Sequence, residues 1–376
     1  MSRARASAPG KILLAGEYAV LEGGPAVVMA VGRRAQAWIA GGADADRPPA
    51  PPRSPFLLAV AAVLAGELGP DSAAARAALR VRVDTSALAA ASGEKLGLGS
   101  SAAATVAALA ACLAAEGRGP LDRTLLHRLA HRAHAEAQAG LAARIPTADR
   151  ATTARAGTAQ ATAAGANPGD GSSRPAGAPI PAPPLATRGS GADIAASVWG
   201  GLLHLEPSPL ADQPPRVQPL ALPAGLELVA VWTGRPADTR VLVAGIAAFA
   251  SRAPAAYRGR LAALAGAAAA LTDSCRAGDP ARAVAAIAAG GDAVRELGAA
   301  AGVELFLDSH RALGERAAAL GGALKPTGAG GGDIALGAFD RADRAEQFRA
   351  HGASLGMIAL DLSVDPRGAA REDDSA

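Results

Sequence analysis

Lys95-Leu96-Gly97-Leu98-Gly99-Ser100-Ser101-Ala102 is the stretch on which the fold turns. Two glycines one residue apart permit a tight left-handed turn, and the alanine-rich run that follows reads as a helix through Glu116, ended by Gly117. Glycines let the backbone approach a polyphosphate, and the free N–H groups and dipole of the helix behind them favour an anion. The stretch is not a Walker loop, since no Gly-Lys-Ser/Thr follows at the required spacing. Ser100 or Ser101 also suits an ordinary helix cap. A phosphate loop and a capped helix after a turn are both consistent with this stretch alone.

Lys95 leads outward to the other lysines. Only three of the 37 basic residues are lysine, at 11, 95 and 325, and each sits among glycines. Lys11 closes Ala8-Pro9-Gly10-Lys11, and Lys325 opens Lys325-Pro326-Thr327-Gly328-Ala329-Gly330-Gly331-Gly332-Asp333. A compact ammonium beside glycine backbone suits phosphate oxygens better than a planar guanidinium does. The loop at 328–333 reads either as a second phosphate-facing loop or as a turn before a strand. Asp193, in Gly189-Ser190-Gly191-Ala192-Asp193, stands at a helix start, where a carboxylate either caps the helix or takes a proton from an attacking hydroxyl.

Bulk properties bound the rest. A chain of 376 residues can hold two packed domains. With 50% hydrophobic but only 3% aromatic residues, its core must be built from Ala, Leu, Val and Ile. No apolar run approaches the ~18 residues of a spanning helix, and Lys11 and Glu17 interrupt any leader-like start, so a soluble cytoplasmic protein without membrane contact is expected. The net charge of +3 rests on scattered arginines without aromatic interleaving, which argues against nucleic acid. Cys112 and Cys275 lie in helical-looking stretches and read as buried free thiols. His127, His131 and His134 recur at helical spacing, but no cysteine or acidic cluster completes a zinc set, so surface or interdomain histidines are expected.

Residues 11–40 read as β structure, and residues 47–55 as a Pro-rich loop. A helix over 56–68, a strand over 79–84 and a helix over 121–139 follow. Residues 142–187 hold almost no large apolar side chains and read as a disordered insertion. Loop closure entropy grows slowly with length, so a chain lacking 142–187 is expected to express solubly, fold and keep its activity. A Pro-rich linker at 207–223 precedes a strand over 226–232, four alanine-rich helices, and strands near 333–339 and 357–362. The expected organisation is a first domain at 1–206, a second at 224–365 and a disordered tail at 366–376, in an α+β architecture.

Three blocks occur in order: Ala8-Pro9-Gly10-Lys11 through Gly16-Glu17-Tyr18-Ala19-Val20-Leu21-Glu22-Gly23-Gly24, the 97–102 loop, and Gly328 to Asp333. Together they resemble the three signature motifs of the GHMP small-molecule kinases. Gly16 to Gly23, Gly189 to Ser197, Trp232-Thr233-Gly234-Arg235-Pro236-Ala237-Asp238-Thr239, and aspartate at 333 are most similar to the phosphomevalonate kinase branch. The resemblance covers about residues 7–140 and 188–365. It implies a two-domain fold with an N-terminal ribosomal-protein-S5-like domain and a C-terminal ferredoxin-like α/β domain.

The implied activity is phosphoryl transfer from ATP with Mg²⁺ to 5-phosphomevalonate, a small-molecule substrate, by a monomer or homodimer. By the same resemblance Lys11 and Asp193 are catalytic. Lys95, Gly97, Leu98, Gly99, Ser100, Ser101 and Ala102 bind ATP, and Ser101 and Glu136 hold the metal. Lys11, Ser190, Gly191, Lys325, Gly328, Gly330, Gly331 and Asp333 bind the substrate. Thr239 to Gly245 is similar to mevalonate kinases and keeps an alcohol acceptor open. A diphosphomevalonate decarboxylase and a non-catalytic ligand sensor on the same scaffold are further alternatives.

Overall fold

The computed structural model describes residues 4–40, 54–117, 120–143, 189–208 and 213–372. The expected Pro-rich loop and insertion lie outside the described residues, except for 54–55 and 142–143, which join flanking helix ends.

Strand β1 (Arg5–Ala15) pairs antiparallel with β2 (Ala26–Ile39). Strand β2 runs unbroken over 14 residues, and the register shift at Pro9/Gly10 bends the pair without breaking it. Residues 16–22, expected as β structure, instead turn, since Gly16 and Tyr18 take φ values of 94° and 59°. A 3₁₀ turn at Ala19–Glu22 follows.

Helices α1 (Pro55–Leu68) and α2 (Ala73–Ala78), strand β3 (Val81–Asp84), α3 (Ser100–Ala114) and α4 (Arg123–Ala143) come next. After the gap come α5 (Ala192–Trp199), β4 (Leu202–Glu206) and β5 (Arg216–Leu220). The second half comprises β6 (Glu227–Trp232), helices α6 (Thr239–Arg252), α7 (Pro254–Ala277), α8 (Pro280–Ala301) and α9 (Asp308–Ala319), β7 (Ala323–Pro326), β8 (Ile334–Phe339), α10 (Ala342–Ser354) and β9 (Ile358–Leu360). A last strand, β10 (Ala370–Arg371), returns to β1.

The first sheet runs β10-β1-β2-β4-β5 with β3 also on β2, and the second runs β7-β8-β6-β9. This is the expected α+β class, with two sheets. Two expectations about its edges need correction. The supposed linker contributes β5, whose Val217 opposes Leu205. The supposed tail is ordered through residue 372, because Arg34 pairs with buried Asp365 and β10 extends the first sheet.

Both faces of the first sheet are covered. Ile12 and Leu14 face the core shared with α3, whereas Leu13 packs with Ala192, Ala195 and Ala196 of α5. Side chains alternate along a strand, so Lys11 shares the face of Leu13 and is directed toward α5. The two halves are joined through α7: Thr272 Oγ1 and His204 Nδ1 lie 3.0 Å apart, and Ala268 and Leu271 belong to the same apolar cluster as Ile12. Cys112 and Cys275 are buried free thiols, as expected. Among the described residues no helix is long and apolar enough to cross a membrane.

His127 and His310 are buried, and each accepts a hydrogen bond at Nδ1, from Trp199 Nε1 at 3.1 Å and from the Leu307 N–H at 3.0 Å. Burial chiefly, with nearby His131 and Arg311, pushes both imidazoles down to about 4. The unfolded chain therefore binds more protons between pH 4 and about 6.5. Their contribution is complete above that window and is lost as pH falls through it, at up to about 1.4 kcal/mol per pH unit for each histidine. Urea unfolding measured from pH 7 to 4.5 should show this decline, with a shallower slope in His127→Gln.

Candidate active site

A cleft of about 500 Å³ is lined by residues of both halves. Its floor is β1. Gly10 has no room for a side chain, since a Cβ there would stand 2.7 Å from the Leu98 carbonyl oxygen. The same close approach lets the Lys11 N–H donate to that oxygen at 2.9 Å. The glycine loop is thereby tied to the strand carrying Lys11.

Helix α3 starts at Ser100 with Gly99 as its cap residue, at φ 74°, and no side chain caps it. The capped-helix reading of Ser100 and Ser101 is therefore set aside. Among the described residues the first-turn N–H groups have no side-chain acceptor, and Ser100 and Ser101 line the cleft. Ser101 Oγ lies 3.2 Å from His134 Nε2. Burial drives the His134 pKa down, and the Asp193 carboxylate partly offsets this.

Helix α5 begins in the same way, with Gly191 at the cap in the left-handed region and Asp193 in the first turn. Asp193 is not the cap; Ser190 Oγ accepts from the Ala192 N–H at 3.2 Å. Asp193 Oδ1 instead stands 3.7 Å from Lys11 Nζ. The pair is packed over Gly99, where a Cβ would lie 3.1 Å from Lys11 Cγ and 3.6 Å from Asp193 Oδ2.

Asp333 joins the halves. Its Oδ1 accepts from the Ala237 N–H at 3.1 Å, and its backbone N–H donates to the Arg235 carbonyl at 2.7 Å. Burial raises its pKa, opposed by the Ala237 bond and by the charges of Lys11 and Lys95. Gly97, at φ 77°, packs on this carboxylate, and a Cβ there would come 2.7 Å from Asp333 Cβ. Gly97→Ala combines that overlap with a left-handed penalty of roughly 1–2 kcal/mol. Lower thermal stability is expected, read by melting curves.

Of the residues singled out in the sequence, Lys11, Lys95, Gly97, Leu98, Gly99, Ser100, Ser101, Ser190, Gly191, Asp193, Gly328 and Asp333 line the cleft. The others do not. Ala102 is buried inside α3. Gly330 and Gly331 pack under the loop, where the Gly331 N–H donates to the Leu305 carbonyl at 2.8 Å. Glu136 is half exposed and faces Arg132 Nε at 3.7 Å. Lys325 is fully buried in an ion pair with Glu17 and donates to the Leu13 carbonyl at 3.3 Å. It is a structural cation, because its ammonium is already enclosed by protein oxygens.

Several cleft residues were not foreseen: Glu17, Tyr18, His134, Gln138, Thr239 and Arg240. Tyr18 is buried, and its hydroxyl donates to the Ala329 carbonyl at 2.6 Å, tying the first glycine motif to the third. An acid after Leu13-Leu14-Ala15-Gly16 was a usable signal for Glu17, since carboxylates seldom bury without a cation. His134 was expected at a surface or between domains, but it is 5% exposed and stacks on Phe56 at 5.1 Å. Among the described residues no group of three or more His, Cys, Asp or Glu is placed to hold a metal ion.

The glycine-framed cleft sets an uncapped helix start beside a lysine–aspartate pair, which gives it the donors of an anion site. Residues 56–147 match the family model for the GHMP kinases N terminal domain. The phosphomevalonate kinase of Streptomyces sp. strain CL190 is 29% identical over 392 residues, covering 89% of each chain. A Listeria innocua protein of known structure superposes with a TM-score of 0.74 at 22% identity, covering 98% of this chain and 99% of that one. The Streptococcus pneumoniae phosphomevalonate kinase in complex with phosphomevalonate and AMPPNP gives a TM-score of 0.68 at 18% identity, covering 96% and 99%. The chain carries a GHMP kinase domain and fold, and it is similar to phosphomevalonate kinases.

Proposed function

We propose that this chain transfers the γ-phosphoryl group of ATP to the phosphate of 5-phosphomevalonate, giving 5-diphosphomevalonate and ADP in the mevalonate route to isoprenoids. The observation that carries the reading is the Lys11–Asp193 pair at 3.7 Å beside the uncapped start of α3. Donors for a polyphosphate and a charge pair for the transferring group then share one cleft.

In this reading residues 97–101 cradle the nucleotide phosphates through backbone N–H groups, and Lys95 offsets their charge. An oxygen of the acceptor phosphate attacks the γ-phosphorus while the bond to the β-phosphate oxygen breaks. That acceptor is largely ionised at neutral pH, so Asp193 need not remove a proton and serves chiefly to orient Lys11. The Lys11 ammonium neutralises charge on the equatorial oxygens. Mg²⁺ fits the site as a nucleotide-borne ion, because such an ion needs only one or two protein oxygens. Ser101 is the available hydroxyl, Glu136 is turned away, and bound Mg²⁺ would neutralise phosphate charge.

Initial rates of ADP release with 5-phosphomevalonate and with mevalonate, measured in parallel, test the proposal. Turnover is expected with the phosphate acceptor. Turnover with mevalonate alone would instead identify a mevalonate kinase, the reading favoured by the Thr239 to Gly245 stretch. ATP binding without ADP release on either substrate would point to a sensor.

A further inference from the structure

We propose that His134 is a positioning residue that turns the Ser101 hydroxyl toward a nucleotide phosphate oxygen as a hydrogen-bond donor, an inference resting on the reading of the cleft as an ATP site. The amide nitrogen of Gln138 lies 3.4 Å from His134 Nδ1. With the Gln138 amide turned so that its NH₂ faces the ring, that group only donates, Nδ1 is the accepting nitrogen and the neutral ring carries its proton on Nε2. That N–H is 3.2 Å from Ser101 Oγ, which therefore accepts. The serine O–H is left over, on a residue lining the cleft.

The surroundings hold this chain in place. Phe56 stacks on the imidazole at an interplanar angle of 26°. Thr105 Oγ1 donates to the Ser101 carbonyl at 2.8 Å, anchoring the backbone below the hydroxyl. Gln138 is confined by Gly189, where a Cβ would stand 2.8 Å from its amide oxygen. Gly189, Gln138, His134 and Ser101 thus connect the segment leading to Asp193 with the phosphate loop. A serine oxygen that accepts from His134 has its hydroxyl proton available for an anion, which assigns Ser101 a donor role toward phosphate. The opposite tautomer would spend that proton on the histidine.

Two measurements test this. Long-range ¹H–¹⁵N NMR of imidazole-labelled protein should show His134 protonated at Nε2 and bare at Nδ1; a proton on Nδ1 overturns the proposal. Calorimetric titration with ATP should show His134→Met binding about fivefold more weakly, the loss of one neutral hydrogen bond. KM for the acceptor should stay within about twofold by the same reasoning, and His134→Gln, which restores an N–H near the Nε2 position, should recover most of the affinity. If His134→Met does not fold, Gln138→Leu frees the tautomer and should weaken ATP binding in the same direction. Unchanged ATP affinity in the folded variants, with wild-type binding intact, overturns the proposal while sparing the ATP site. Absence of ATP binding to the wild-type chain overturns both.

Discussion

Lys11→Met should lower kcat by about 10³-fold or more while leaving a cooperatively folded protein, the loss typical of a group that stabilises transferring charge. Lys11 is 8% exposed, on the strand face that meets α5, and its ammonium stands 3.7 Å from Asp193. Arginine keeps the charge but not the shape. The aliphatic stem runs against Gly99, leaving little room for a wider planar head. Lys11→Arg is therefore expected to retain no more than about 1% of kcat, because a delocalised fork cannot replace a point charge in this geometry. Steady-state rates at saturating ATP and acceptor, with a melting curve for each variant, decide the matter. A Lys11→Arg enzyme within twofold of wild type would remove the compact ammonium from the mechanism.

Lys325→Met should be the most destabilising single change in the molecule, costing about 3–5 kcal/mol by leaving the Glu17 carboxylate buried without its cation. Lys325 and Glu17 are 0% and 1% exposed as side chains, and Glu17 Oε2 has no hydrogen-bond partner among the described residues. Burial lowers the Lys325 pKa, and the pairing with Glu17 opposes that shift while Lys11 adds to it. For a chain of this size the cost corresponds to a fall in Tm of roughly 5 °C. The double variant Lys325→Met, Glu17→Leu should regain most of the loss, since an apolar pair of similar volume avoids desolvating two charges. Differential scanning calorimetry reads both. A single variant melting with wild type would show that the ion pair does not form in solution.

The two lysines also mark how far the primary structure could be read. Lys11 and Lys325 each have a proline and a glycine within three residues, and local context alone assigned both to phosphate. Their fates differ because β7, an edge strand of the second sheet, is covered by α8, with Gly291 packed against the Leu324 carbonyl and Glu17 closing over Lys325, whereas β1 opens onto the cleft. The helix after Gly99 was legible from its alanine run and glycine stop. Whether Ser100 capped it was not, because a cap depends on the φ of the preceding residue and on competing partners such as His134. The tail was misread for a related reason: an acidic, short segment looks solvated until Asp365 finds Arg34 and β10 finds an open edge.

What the sequence determined by itself was the set of backbone demands: glycines at 97, 99, 191 and 328 where φ is positive, and the alternation and periodicity that set strand and helix. These are short-range requirements, written in a few neighbouring residues. Only the tertiary structure decided that Lys11 and Lys95 line the cleft while Lys325 is buried, which histidine touches the 97–101 glycine loop, and that Asp193 meets Lys11 rather than capping its helix. Burial and pairing depend on residues hundreds of positions apart being brought into contact, and no local pattern encodes that distance.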